Sequence, residues 1–389
     1  MLIGIVGAPN KGKSTIFSAL TLVEAEIADY PFTTIDPNIG VAYATRPCVD
    51  RELGVKCKPR NSLCVNGIRH IPINVIDVAG LVPGAHLGKG RGNQFLNDLM
   101  NADAIVQVVD ISGKTDISGS RASYSDPYEE VRMVRDEMSR WLGGIILKHS
   151  GTLARRPDGD KALEEFLSGF KVTLDHIQKA ASERSLVLSN IKWGEKEANK
   201  FAESLLRISK PMIIAANKLD QAKPEDVDKL RKRLDGIIVI GCSGAIELTL
   251  RKAAKSGAIS YVPGSAEFVT GEGISQEQSR ALSYVSGYIK AHGGTGIQEL
   301  LNTAVFSVLM NIVVYPVEDE NKYSDHFGNI LPDAVLMQDG STAQDLAARI
   351  HTDIAKGMKY AIDARTKLRL QKTYQLKDND VIKIVTTAK

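Results

Sequence analysis

Short apolar runs recur along the chain, each closed by a polar or glycine-rich turn. Leu2–Val6, Ile73–Ile76, Ala104–Val109, Met212–Ala216 and Ile237–Ile240 are too short for helices and carry no alternation, the pattern of strands buried on both faces. Between them the spacing changes to that of amphipathic helices. Ser14–Leu20 opens one such segment. Val131, Val134, Met138, Trp141, Leu142 and Ile145 mark a helix over 128–150, and Leu163, Phe166, Leu167, Phe170, Leu174 and Ile177 mark one over 161–181. Ala198, Phe201, Leu205 and Leu206 mark another over 195–208. Strands alternating with helices predict an α/β fold with a mostly parallel, doubly wound sheet.

The spacing is uneven in one place. About 100 residues separate the strand at 104–110 from the next core strand at 211–217, whereas a strand–helix–strand crossover needs only ~30. A helical subdomain is therefore expected at 113–208, inserted into a domain formed by 1–112 and 209–311. Gly296–Met310 reads as the helix that closes this domain. Residues 312–389 read as a separate module: a strand at Val313–Val317, another at Asp333–Met337, a helix capped by Thr342 and Asp345, a strand near Tyr360–Ile362, and a closing strand at Val381–Val385.

The turns after the first strands carry the chemistry. Gly7-Ala8-Pro9-Asn10-Lys11-Gly12-Lys13-Ser14 fits the phosphate-binding loop pattern between a strand and a helix. Backbone N–H groups over Asn10, Lys11, Gly12, Lys13, Ser14 and Thr15 would converge on phosphate oxygens, Lys13 would reach the terminal phosphates, and the Ser14 hydroxyl would bind Mg²⁺. Asp77-Val78-Ala79-Gly80 follows a strand; Asp77 would hold Mg²⁺ through water, and the Gly80 N–H would meet the γ-phosphate. Thr33-Thr34, in the stretch after the first helix, could complete the metal sphere only with the γ-phosphate present, which makes a switch. Asn217-Lys218-Leu219-Asp220 ends a further strand. A carboxylate at Asp220 can accept from both N1–H and N2–H₂ of guanine, a donor pair that adenine lacks. Ser243-Gly244 stands where backbone N–H groups could meet the guanine O6. The order of these elements is that of a GTPase.

Tyr30-Pro31-Phe32-Thr33-Thr34-Ile35-Asp36-Pro37-Asn38-Ile39-Gly40 resembles the first switch of the Obg family of GTPases. Asp77 to His86, followed by Gly88-Lys89-Gly90-Arg91-Gly92-Asn93-Gln94-Phe95-Leu96, resembles its YchF branch, in the archaeal and eukaryotic subgroup that keeps N-K-x-D. The resemblance implies Thr34 as the metal ligand of the Thr pair, a partly coiled-coil helical arm, and His86 as the group that orients the attacking water. The YchF branch itself departs from N-K-x-D and is associated with ATP; with Asp220 intact, GTP is expected here. The tail resembles a TGS domain, a ubiquitin-like β-grasp also found in threonyl-tRNA synthetases, which implies a partner among ribosomes or RNA. Arg349, Lys356, Lys359, Arg365, Lys367, Arg369 and Lys372 could follow phosphates there.

The position after Asp77-x-x-Gly80, where many GTPases hold a glutamine, is Leu81, so slow hydrolysis is expected. Asn10 is a second candidate catalytic residue, through K⁺ bound beside the phosphates. A phosphate-loop kinase or ATPase, and an RNA-binding protein with a vestigial nucleotide site, are the competing classes; Asp220 speaks against the first, and Lys13, Ser14 and Asp77 against the second.

Composition adds limits. The 389 residues are 43% hydrophobic and 24% charged, enough for more than one core. A net charge of +3 means nucleic-acid binding needs a local patch. No apolar run approaches the ~18 residues of a membrane span, and a strand leading straight into a phosphate loop is not the start of a cleaved signal peptide. A cytoplasmic chain, monomeric by default, is expected. Cys48, Cys57 and Cys64 share one segment with His70, but their spacing fits no zinc pattern, and small residues of an irregular excursion are the favoured reading over a metal clip or disulfide.

Overall fold

The computed structural model describes residues 1–22, 38–78, 80–87, 99–153, 155–156, 158–188, 191 and 193–387. The Thr33–Thr34 switch and the 88–96 segment lie outside them. The described residues divide into two compact units, the first within 1–41 and 74–300, the second within 42–73 and 301–387.

The strands named first are β1 (Leu2–Val6), β2 (Ile39–Pro47), β3 (Leu63–Val65), β4 (Ile68–Asp77), β5 (Ala104–Asp110), β6 (Met212–Asn217) and β7 (Val239–Gly241). They form one sheet in the order β2-β4-β1-β5-β6-β7, with β3 added to β4. β1 runs parallel to β4 and β5, and β5-β6-β7 continue parallel, so the doubly wound expectation holds. All seven residues of β5 are buried, as a strand covered on both faces requires. The chain leaves β1 in both directions across the sheet, and the crevice at its carboxyl end is where such sheets bind ligands. The register places Ile5 beside Asp77 and Asp110 beside Asn217, so the polar strand ends share one edge.

Helix α1 (Lys13–Thr21) follows the phosphate loop. The insert supplies α2 (Pro127–Leu153), α3 (Gly159–Leu167), α4 (Leu174–Glu183) and α5 (Glu195–Ser209). The single helix expected over 161–181 is two. Lys171 takes a left-handed conformation (φ 55°) after a 3-10 turn, and Thr173 starts α4 with a capping box to His176. The side chains that spacing marked as core are core: Val134, Met138, Trp141, Leu142, Leu163, Phe201 and Leu205 are buried in one cluster with Val6, Ile76 and Ile105 of the sheet. α6 (Pro224–Arg233), α7 (Gly244–Lys255), a short hairpin of β8 (Ile259–Ser260) and β9 (Val269–Thr270), α8 (Gln276–His292) and α9 (Ile297–Asn302) follow; α9 runs on into a π-helical turn, Thr303–Val308.

In the second unit, β10 (Asn311–Val317), β11 (Val335–Gln338), β12 (Met358–Asp363), β13 (Arg369–Leu370) and β14 (Asp380–Thr386) form a sheet in the order β11-β10-β14-β12-β13. The first and last long strands pair in parallel and the others antiparallel. Helix α10 (Ala343–Ile350) packs Leu346 and Ala347 onto one face, and its Thr342–Asp345 capping box forms as the sequence indicates; α11 (Thr352–Gly357) follows. This is the β-grasp arrangement. Val49 and Ile71, which the spacing assigned to the nucleotide half, are buried instead with Val313, Tyr315, Leu331 and Val381 of this unit. Apolar side chains on an excursion must find a cover, and sequence spacing does not say which sheet provides it.

Candidate functional site

The phosphate loop is held by its neighbours at each residue. Gly12 has φ 93°, and a Cβ there would come within 2.3 Å of Asn217 Nδ2, so two independent constraints demand glycine. Lys13 is buried and its Nζ donates to Ala8 O (2.9 Å), folding the side chain over the loop. Burial lowers the Lys13 pKa; Asp77 opposes that effect and Lys11 adds to it. Ser14 is exposed at the start of α1, and Thr15 follows it. Asn10, also exposed, donates through Nδ2 to Gly119 O (2.9 Å). Gly80 lies against Pro9, where a Cβ would come within 3.0 Å of the proline. Asp77 ends β4 with a buried Oδ1 that no protein donor satisfies.

Lys11 differs from its neighbours. Its side chain is fully buried, ion-paired with Glu130 of α2 and donating to Thr115 O and Oγ1 (both 2.8 Å). Lys11 can therefore offer a phosphate only its backbone N–H, while its ammonium ties the loop down. Burial raises the Glu130 pKa to about 7, with Lys11 working against the rise. The same network continues through Asp110 at the end of β5. Asp110 accepts from Thr115 Oγ1 (2.7 Å), Ser112 Oγ (2.6 Å) and Lys218 Nζ (2.9 Å). Burial would raise its pKa, but these donors outweigh it and hold it below the ordinary carboxylate value.

The N-K-x-D turn is joined to the loop by Asn217. Its Nδ2 donates to Lys11 O (2.8 Å), and its Oδ1 accepts from Gly244 N (2.9 Å). Lys218 sits in a left-handed turn (φ 64°) that sends Asp220 back towards Ser243, whose Oγ donates to Asp220 Oδ1 at 2.6 Å. Ser243 also caps α7 by accepting from Ile246 N. Phosphate loop, Asn217, Asp220, Ser243 and Gly244 thus form one connected corner.

Leu81 is buried in the core, and its N–H donates to Gly7 O (3.1 Å). His86 is held by Glu137 of α2. The Glu137 carboxylate accepts from Gly84 N (2.8 Å) and His86 N (3.0 Å), and lies 2.7 Å from His86 Nδ1. Burial would raise the Glu137 pKa; the two amides and the imidazole outweigh it and keep it low.

Sequence reasoning missed Asp110, Thr115, Gly119, Glu130 and Glu137. A signal existed for Asp110, a polar residue closing an apolar strand. The others sit in the insert, read only as loop and helix faces; a glutamate on the buried side of an otherwise apolar helix stripe was the legible mark of Glu130 and Glu137.

A phosphate loop at the switch point of a parallel sheet, with a carboxylate-bearing base corner, defines a guanine-nucleotide-binding protein of the P-loop class. Residues 2–142 match the family described as 50S ribosome-binding GTPase, residues 215–319 the Obg-like GTPase YGR210-like, G4 motif-containing domain, and residues 328–386 the TGS domain. An uncharacterised GTP-binding protein of Methanocaldococcus jannaschii is 50% identical over 393 residues, covering 100% of both chains. One of Schizosaccharomyces pombe is 34% identical over 372 residues, 90% of each, and Obg-like ATPase 1 of Rattus norvegicus is 29% identical over 418 residues, 98% of this chain and 91% of its own. The crystal structure of a GTP-binding protein from Pyrococcus horikoshii superposes with a TM-score of 0.81 at 39% identity over 100% of both chains. The Schizosaccharomyces pombe YchF GTPase shares the fold, with a TM-score of 0.59 at 19% identity over 99% and 97% of the chains. The chain belongs to the Obg/YchF-like GTPases and carries a TGS domain. Among the described residues, no helix is long and apolar enough to cross a membrane.

Proposed function

We propose that this GTPase is a slow, nucleotide-dependent switch acting on ribosomes or RNA in the cytoplasm. The observation that carries the nucleotide choice is the Ser243 to Asp220 hydrogen bond of 2.6 Å, which holds the carboxylate beside Asn217 before any base arrives. Gly244 N is already engaged by Asn217, so Ala245 N is the better donor for the guanine O6. Gly80 N and the loop amides would take the phosphates. Mg²⁺ fits Ser14 and Asp77: a buried, unpartnered carboxylate oxygen is the donor a hard cation uses. Thr34 would complete the set. Once bound, the ion would neutralise charge on the phosphates.

The lowered Glu137 carboxylate accepts from His86 Nδ1, and a neutral His86 so held would present Nε2 as an acceptor for the attacking water. Asn10 would hold K⁺ beside the phosphates; equal hydrolysis rates in K⁺ and Na⁺ would remove that role. The division of labour we propose gives nucleotide binding to 1–112 and 209–311, positioning to the insert 113–208 through Glu130 and Glu137, and the reading of partners to 312–389. The basic residues of the tail support an RNA contact, Arg349, Lys356, Lys359, Lys367, Arg369 and Lys372 being exposed, while Arg365 is half-buried and paired with Glu52.

ATP is the alternative, since the rat relative is an Obg-like ATPase. Competition against a fluorescent GDP analogue separates the two. GTP should win over ATP by at least ~100-fold, and Asp220→Asn should move preference from GTP towards xanthosine triphosphate, whose O2 accepts where guanine donates. Equal competition by ATP refutes the guanine assignment. Co-sedimentation with ribosomes that depends on a non-hydrolysable GTP analogue tests the partner; no association in any nucleotide state refutes it.

A further inference from the structure

The excursion between β2 and β3 brings together Cys48, Asp50, Cys57 and Cys64, with one ligand atom from each within 4.8 Å of all the others. The Cys48 and Cys57 sulfurs are 3.9 Å apart, and Cys64 Sγ lies 3.8 Å from Asp50 Oδ2. A disulfide needs sulfurs at ~2.05 Å, so these are free thiols. A tetrahedral zinc ion with Zn–S bonds of ~2.3 Å holds its sulfurs about 3.8 Å apart. The Cys48–Cys57 separation matches one edge of such a tetrahedron, and the whole set needs only small shifts to close on one ion.

We propose that Cys48, Asp50, Cys57 and Cys64 bind one structural Zn²⁺. The residues reach this point from separate pieces of backbone. Cys48 follows β2, where its N–H donates to Gly67 O (2.8 Å). Asp50 sits in the next turn, closed by Val55 N to Asp50 O (2.9 Å). Cys57 lies on the loop and Cys64 on β3. The spacing Cys-x-Asp-x₆-Cys-x₆-Cys has no paired Cys-x₂-Cys knuckle, so sequence rules pass over it. His70, the neighbour that sequence offered, instead turns Nδ1 to Ile68 O at 3.1 Å.

Two further observations point to a cation. Asp50 Oδ1 is buried with no N–H or O–H donor, only the cysteine thiols facing the carboxylate, and a buried carboxylate oxygen so placed is costly unless a metal takes it. Arg69, across the β3–β4 ladder from Cys64, is fully buried with Nε and one terminal nitrogen unpartnered. Three thiolates and a carboxylate around Zn²⁺ carry a net charge near −2, an anion that would balance a buried guanidinium. Sulfur-rich ligation selects zinc over magnesium or calcium. Thiolates on a [4Fe–4S] cluster each sit on a different iron and stand further apart than these do.

The ion has a structural task. Among the described residues, no helix or strand forms between Pro47 and Leu63, yet Val49, Leu53 and Val55 must pack into the core that contains Tyr315 and Val381. A metal tying three points of this loop together fixes those apolar side chains in place.

The test uses the full chain purified without chelator. Mass-spectrometric metal analysis should find about one zinc per chain, released when a thiol-modifying reagent is added with a chromogenic chelator. Reconstitution with Co²⁺ should give the visible bands of a tetrahedral thiolate site. Cys57→Ser and Asp50→Asn should each weaken zinc by at least ~10-fold while fluorescent GDP binding stays intact, which shows that the variants fold. Three results overturn the site: a native chain that binds fluorescent GDP without metal and shows all its thiols free, a Cys48–Cys57 disulfide found by peptide mapping, or Co²⁺ without tetrahedral bands.

Discussion

Replacing Glu137 by Gln isolates the positioning of His86 from nucleotide binding. Glu137 accepts three hydrogen bonds, from Gly84 N, His86 N and His86 Nδ1, at 2.8, 3.0 and 2.7 Å. Glutamine keeps the size but turns one oxygen into an NH₂ donor. With the amide oxygen toward His86, the NH₂ opposes the Gly84 N–H. With the oxygen toward Gly84, the NH₂ opposes the His86 N–H and forces the imidazole to move its proton to Nε2, which then donates where it should accept. Either arrangement leaves a buried donor without an acceptor, at a cost of ~1–3 kcal/mol. A barrier raised by ~1.4–2.7 kcal/mol corresponds to a 10–100-fold fall in rate. Single-turnover GTP hydrolysis should drop by that factor. GTP and GDP affinities should stay within about threefold, because Glu137 touches neither the phosphate loop nor the base corner. His86→Ala should cause a comparable fall, and the double variant no further one, as expected of groups that act as a unit. A Glu137→Gln rate within twofold of the parent, or losses that add in the double variant, would refute the positioning role.

Other outcomes follow from the same structure. Glu130→Ala leaves the Lys11 ammonium buried without its carboxylate and should destabilise the fold by ~3–5 kcal/mol in denaturant unfolding; a loss under 1 kcal/mol would mean water reaches Lys11. Lys210 is buried and donates to Ala102 O at 2.8 Å; burial, reinforced by Lys171 and opposed by Asp103, lowers its pKa to about 8. An unfolded lysine holds its proton to ~10.4, so between these values the unfolded chain binds more protons and stability should rise with pH. Lys210→Met should therefore stabilise at pH 7, on the order of 2 kcal/mol, with the gain shrinking towards pH 10; a constant difference across that range contradicts the assignment. Thr342→Ala removes the cap of α10 and should cost ~1 kcal/mol, read as a lower melting temperature with GTP affinity unchanged.

What the residues alone determined was local. A glycine-rich turn between an apolar run and a helix, a D-x-x-G and an N-K-x-D at strand ends, and a Thr–Asp capping box all lie within a few residues, where backbone geometry and short-range hydrogen bonding decide the outcome. The helix faces around Trp141 and Phe201 were legible for the same reason, since a period of 3.6 is written in the spacing itself. Tertiary structure decided what long-range packing brings together. It paired Lys11 with a glutamate 119 residues away and His86 with one 51 residues away. It moved Val49 and Ile71 to the core of the tail, and gathered three cysteines with Asp50 rather than His70. Burial makes these pairings necessary, because a charge or an apolar face out of water must find a partner. Which partner it finds depends on how the sheets and helices stack, and no spacing rule along the chain contains that.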